Sequence, residues 1–327
     1  MPLPPNGVIV YDGPSMIDGE RVYVVLTSIR GTSNNAKTSG DGEAPVLPLA
    51  QTYVIPHSML AGIVAGENPS AAWFDNLRSG ADSGACGACP LRPSAVAVLK
   101  ALGLPAPDPC YVLNGPGDVA RAIVAGSYPV ATLAQAADYI RAMLAAGRIA
   151  GVRGGSWGDP AAAPFDVHAA LHAATRGVRV AHPDGRERRA VWTCYTRTWE
   201  YAPAVAATGW RRIAMASAHS PAEARLALAQ GWRPFTVVDG RSVDAIGDAA
   251  QLVSEGPSTH CPASNERGNA ATCSTCGLCD GAADNDRRGP VTIMSHGSSN
   301  RSAAACNRAT EALARMQVAR RGREIRA

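Results

Sequence analysis

Two periods of hydrophobicity divide the chain. Up to residue 56, apolar and polar positions alternate in the short runs GVIVYD, RVYVVLTS and QTYVIP, interrupted by the polar stretch IRGTSNNAKTSGDGEAP. A period of two predicts strands, so these runs are expected to form a β-rich extension over residues 1–70. From Gly117, the runs GDVARAIVAG and LAQAADYIRAMLAAG place apolar residues three and four apart, which predicts two helices, the second stopping at Gly147. Beyond residue 148 the pattern becomes a regular alternation. Short apolar runs (IAGVRGG, RAVWTCYT, RRIAMAS, RPFTVVD, VTIMSHG) are separated by helix-compatible stretches such as PFDVHAALHAATRG and SPAEARLALAQG. Strands alternating with helices predict a parallel sheet with crossover connections. Ser220, Pro221 and Glu223 have the form of a helix start, with Ser220 as cap, Pro221 in the first turn and Glu223 completing a capping box.

The residues that follow each strand point to a barrel rather than an open sheet. Ser156, Trp157, Gly158 and Asp159 follow the first run, Tyr195, Thr196 and Arg197 the second, and Ser217 and His219 the third; Cys261 comes next, then Ser295, His296 and Gly297 after the last. Polar residues gathered at the carboxyl ends of successive parallel strands are the arrangement in which α/β barrels build active sites. The expected architecture is therefore a (β/α) barrel, whole or incomplete, over residues 71–300. It carries a cysteine-rich metal-binding insertion at 261–281 and is followed by a basic helix over 301–327. Asp159, Thr196, Ser217 and His296 are the candidate catalytic residues. Asp159 also has a plain reading as a turn residue before Pro160, and Ser217 lacks the setting of an activated nucleophile. No Gly-x-Gly-x-x-Gly follows a strand and no Walker loop is present, so dinucleotide and P-loop chemistry are not indicated.

Composition narrows the setting. With 327 residues, 46% hydrophobic and 18% charged, the chain has the material for a large core. The amino terminus lacks a basic segment followed by an apolar run, and no run of apolar residues has membrane-spanning length, so a cytoplasmic protein without membrane contact is expected. There, clustered cysteines hold metal more readily than they form disulfides. The net charge of +4 is concentrated in the tail ARMQVARRGREIR, where no aromatic residues interleave the arginines. Charge alone therefore does not mark a nucleic-acid partner, and the substrate can be a small molecule or a nucleic acid. Lys37, in the polar stretch after the second strand, could reach an anionic group if that stretch folds over the barrel mouth.

Seven of the nine cysteines fall into two groups. Cys86-Gly-Ala-Cys89, with Cys110 further on, supplies three thiolates, which suit a metal or cluster with one open position; the alternative is a structural zinc site with a fourth ligand such as His57. Cys261, Cys273, Cys276 and Cys279 supply four, enough to saturate a centre. The C-x2-C-x2-C run with a distant Cys-Pro has a ferredoxin-like form, and zinc is the alternative. Cys194, inside an apolar strand, and Cys306, on a helix face, are read as packing residues. His168 and His172 are spaced i, i+4 but lack the glutamate of H-E-x-x-H and are read likewise.

As a set, the motifs CGACPLR, CYV, RGGSWGDPAAAPFDV, YTRTW, MAS, GWRPFTV, CPAS, TC-x2-CGLC and HG resemble the gene-product-eighty-eight-like phage and prophage proteins, which themselves look like distant radical-SAM-type barrels. The resemblance covers residues 34–297. It implies an iron–sulfur enzyme in which Cys86, Cys89 and Cys110 hold a 4Fe-4S cluster that binds S-adenosylmethionine, while Cys261, Cys273, Cys276 and Cys279 hold a second centre. Radical-SAM enzymes carry C-x3-C-x2-C in one loop, whereas this chain has C-x2-C-x20-C; the family's Tyr-Thr-His-Gln-Trp is here Tyr195-Thr196-Arg197-Thr198-Trp199.

Overall fold

The computed structural model describes residues 4–31, 46–103, 116–201, 209–238, 259–264, 271–283 and 286–294. Strands β1 (Gly7–Pro14), β2 (Arg21–Thr27) and β3 (Leu49–Pro56) pair antiparallel in sequence, as their alternation predicts. From β3 onward every ladder of this sheet is parallel: β4 (Gly151–Trp157) lies beside β3, and then come β7 (Val191–Thr196), β8 (Met215–Ala218), β9 (Pro234–Val238), β11 (Val291–Met294) and β10 (Thr259–His260). These make one nine-stranded, mostly parallel sheet. A separate hairpin of β5 (Arg179–Ala181) and β6 (Glu187–Arg189) interrupts the alternation, too short and too polar to register in the hydrophobic pattern. Among the described residues the sheet does not close on itself; β1 and β10 are its edges.

Ten α-helices surround it among the described residues: α1 (Ala61–Val64), α2 (Pro69–Ser79), α3 (Ser83–Cys86), α4 (Pro93–Ala101), α5 (Pro116–Val124), α6 (Leu133–Ala145), α7 (Phe165–Thr175), α8 (Thr198–Tyr201), α9 (Pro221–Ala229) and α10 (Cys273–Cys276). The glycine-rich cysteine segment reads as loop in the sequence but is largely helical. Asn68 caps α2 by accepting from the amides of Ser70 and Ala71, Pro69 sits in the first turn, and left-handed Gly80 ends it. α6 starts at Thr132, which exchanges hydrogen bonds with Gln135 in a capping box.

Alternation along the strands sends successive side chains to opposite faces of the sheet. On one face, Thr52 of β3 meets His168 of α7 at 3.2 Å, and Trp192 of β7 lies 5.3 Å from the ring of His172. Cys194 points the same way, and its in-register neighbour is Gly154, where a Cβ would come within 2.8 Å of the Cys194 Sγ. This is the apolar core that the hydrophobic periodicity of α6 and α7 anticipates. The other face carries Val191, Thr193 and Tyr195, and the cysteine segment 271–283 packs there: Cys273 against Leu49, Ala150 and Val191, and Cys279 against Met215 and Val291.

Candidate functional site

At the carboxyl ends of β4 and β7 a single buried carboxylate organises the chain. Asp159 follows β4; its Oδ1 accepts from the Thr196 hydroxyl at 2.7 Å and the Ala161 amide at 2.9 Å, and its Oδ2 from the amides of Arg197 and Thr198 at 2.6 and 3.0 Å. All four partners donate, which suits an ionised carboxylate and holds the turn after β7 against the turn after β4. Burial pushes the Asp159 pKa up, and these hydrogen bonds oppose the shift. The Asp159 amide donates to the Ala85 carbonyl at 2.7 Å, which ties the network to the helix bearing Cys86.

The Cys86–Cys89 loop is held by Arg92. Its Nε and Nη2 reach Asp82 Oδ1 at 2.9 and 2.6 Å, while Nη1 and Nη2 donate to the carbonyls of Gly87 and Gly80, each at 2.7 Å. Gly87 has φ 52° and ψ −128°, backbone that a side chain disfavours, so the residue between the cysteines sets the turn. A second guanidinium approaches from the strand ends. Arg197 holds Glu223 of α9 through two contacts at 2.5 and 3.0 Å, Glu200 at 2.6 Å and the Ser217 carbonyl at 3.0 Å. Arg92 is close enough to Cys86 and Cys89 for either thiolate to favour its charged form, and Arg197 is that close to Cys89. Both guanidiniums are already ion-paired, Arg92 to Asp82 and Arg197 to Glu200 and Glu223, and Arg92 acts on the loop chiefly by fixing its backbone.

The structure thus brings Asp159 and Thr196 together and ties them by backbone to Ala85, the residue before Cys86, and Ser217 joins through its carbonyl, which also accepts from Trp199 Nε1 at 3.0 Å. His296 and Cys110, like Lys37 and Cys306, lie outside the described residues. Two participants were not legible as such. Arg197 reads only as one of the polar residues that follow a strand, and Glu223 reads as half of a capping box. Ser220 does accept from the Glu223 amide at 3.1 Å, but the Glu223 carboxylate goes to Arg197 and to the His219 amide instead of back to the cap. Burial, then the Arg197 charge, lowers the His219 pKa to about 4, so His219 is neutral at pH 7. His57 hydrogen-bonds the Tyr23 hydroxyl at 2.7 Å, and His168 is enclosed in the core.

The second cysteine group lies on the opposite face. Cys261 follows β10 and donates its amide to the Thr292 carbonyl at 2.8 Å, α10 carries Cys273 and Cys276, and the Cys279 carbonyl accepts from the Cys194 amide at 3.1 Å. Arg233, buried, fastens the segment through the carbonyls of Gly289 (2.9 Å), Leu278 (2.5 Å) and Gly281 (3.3 Å). Burial raises the Cys279 thiol pKa well above the ordinary range. A hydrogen bond from Tyr195 opposes this, while Cys273, Cys261 and Cys276 add to it. The four sulfurs therefore share one electrostatic neighbourhood, although among the described residues no three Cys, His, Asp or Glu side chains stand at metal-binding spacing. None of the seven described cysteines is in a disulfide. Four thiols are a donor set that suits a soft cation, on which they would have to close.

No protein-family model, no curated protein and no solved structure matches this chain. Among the described residues no helix is long and apolar enough to cross a membrane.

Proposed function

We propose that this chain is a cysteine-ligated metalloenzyme of the radical-SAM-like kind, with its chemistry at the carboxyl ends of the parallel strands. The observation that carries the reading is the backbone link from Asp159 to Ala85, next to Cys86, which ties the cysteine-bearing helix to the Asp159–Thr196–Arg197–Glu223 network joining β4, β7 and α9 at that end of the sheet. Parallel strands β3, β4, β7, β8 and β9 lie side by side in chain order. Right-handed crossovers, the general rule, would wind that run in one direction, as in an incomplete barrel; the order reverses at the far end, where β10 lies outside β11.

In this reading Cys86, Cys89 and Cys110 hold an iron–sulfur cluster with one open position, and Cys261, Cys273, Cys276 and Cys279 hold a closed centre, iron–sulfur or zinc. When bound, the open cluster supplies an electron and a coordination position for S-adenosylmethionine. The chain's own contribution is preorganisation. Arg92 fixes the backbone of the Cys86–Cys89 loop through the Gly80 and Gly87 carbonyls, and Asp159 fixes the strand-end turns that carry Arg197. The substrate class in this reading is a nucleotide, nucleic acid or peptide.

The test is anaerobic purification of the full chain with iron, sulfide and zinc quantitation and a visible absorption spectrum. Iron with matching sulfide, lost in Cys86→Ala and Cys89→Ala, is the expected result; cleavage of S-adenosylmethionine under reduction is the next assay. Colourless protein holding zinc alone would overturn it in favour of a zinc-stabilised binding module, a reading favoured by the way Arg233 fastens the four-cysteine segment onto the sheet.

A further inference from the structure

The sheet face away from α7 carries a polar row that apolar packing does not explain. Thr27 of β2, Gln51 of β3, Arg153 of β4 and Thr193 of β7 are successive in-register partners, so they share one face at one level. Thr27, Gln51 and Thr193 are each buried, Thr193 to 3% exposure. A row with three buried polar members and a half-buried arginine contrasts with the opposite face, where the neighbouring positions are Ala50, Val152 and Trp192 in the core. The Thr193 Oγ1 has no hydrogen-bond partner among the described residues. Such an orphan costs about 1–3 kcal/mol and marks a place where a partner belongs. Adjacent parallel strands stand ~4.8 Å apart, so Thr193 and Arg153 can address a single small group. The phenols of Tyr53 and Tyr195 complete the surroundings, both within reach of the Arg153 charge.

We infer that this row is an oxyanion site, in which Arg153 and Thr193 bind a phosphate or carboxylate group of a small-molecule ligand. Arg153 supplies charge and planar donors, and Thr193 supplies a hydroxyl that is already desolvated and loses no water on binding. The four-cysteine segment packs on the same face through Cys273 beside Val191 and Cys279 beside Tyr195, so the row lies next to that group. The inference goes beyond the proposed function by naming an anionic ligand on the sheet face, away from the strand-end network, and does not rest on that reading.

The experiment follows the thermal unfolding midpoint of the full chain against inorganic phosphate, and separately against acetate, at ionic strength held constant with sodium chloride. Saturable stabilisation by either anion is expected, and the stronger of the two identifies a phosphorylated or a carboxylated ligand. Arg153→Met should weaken binding at least about tenfold. Thr193→Val, which deletes a hydroxyl with no partner among the described residues, should leave the midpoint without anion unchanged or raised, yet weaken binding by roughly threefold to tenfold. If Arg153→Met does not fold, Thr193→Val carries the test alone. No saturable stabilisation of the unaltered chain by either anion, or binding unchanged in Thr193→Val, would overturn the site. Iron, sulfide and zinc are quantified on the same preparations, so failure of the metal reading and failure of this one are separate results.

Discussion

Asp159 has four donors and a backbone link to Ala85, so its removal strands more polar groups than any exposed substitution could. Asp159→Ala is expected to cost about 3 kcal/mol in urea unfolding, because three amides and a hydroxyl lose a charged acceptor in a buried place. Asp159→Asn should cost less, since one oxygen still accepts while the amide group faces donors. His168 makes a separate prediction. Burial lowers its pKa to about 3, so it stays neutral in the folded protein while the unfolded side chain takes up a proton near pH 6.5. Stability from this group is full above pH 6.5 and is lost as pH falls toward 3, by about 2 kcal/mol at pH 5. Unfolding of His168→Gln at pH 7 and pH 5 should show that much less acid sensitivity than the unaltered chain; equal sensitivity would remove His168 as the cause.

Among the elements, the four-cysteine segment depends on contacts that are not cysteines. Arg233 satisfies three carbonyls of the segment and its approach, and Gly281, at φ 85°, lies so close to the Arg212–Ala214 backbone that a Cβ would meet it at 2.7 Å. Arg233→Gln should loosen the segment and expose Cys279, whose thiol is shielded by burial and held protonated. A clear acceleration of Cys279 modification by a thiol reagent in metal-free protein is expected, whereas an unchanged rate would show that the sheet alone holds the segment. Gly281→Ala should act in the same direction, because both the left-handed backbone and the close approach exclude a side chain.

At the scale of the molecule, the core between the sheet and α6 and α7 contains Val152, Trp192, Ile140 and Leu171 and does not include the cysteine segment. If the proposed metal is bound, removing it with a chelator should therefore lower the thermal midpoint while leaving the far-ultraviolet circular dichroism of the sheet and helices largely intact. Collapse of the whole spectrum would instead mean that metal binding and folding are one event, as in small zinc domains.

Strand positions were legible because hydrophobic period is local: β1, β2, β3, β4, β7, β8, β9 and β11 all fall on runs that the alternation marks, and Ser220 caps α9 as its sequence indicates. The short hairpin of β5 and β6, the helices around Cys86 and the use of Glu223 were not, because each is decided by contacts across tens of residues. The grouping of polar residues at strand ends was visible as a list, but not which of them meet. Sequence by itself determined most of the strand positions and the parallel alternation after residue 148, since these follow from residue spacing. Only the tertiary structure decided that Asp159 binds the turn after β7, that Arg197 leaves its strand end for Glu223, and that Thr27, Gln51, Arg153 and Thr193 form one row. Register between strands is set by the packing of whole faces, and no local pattern encodes it.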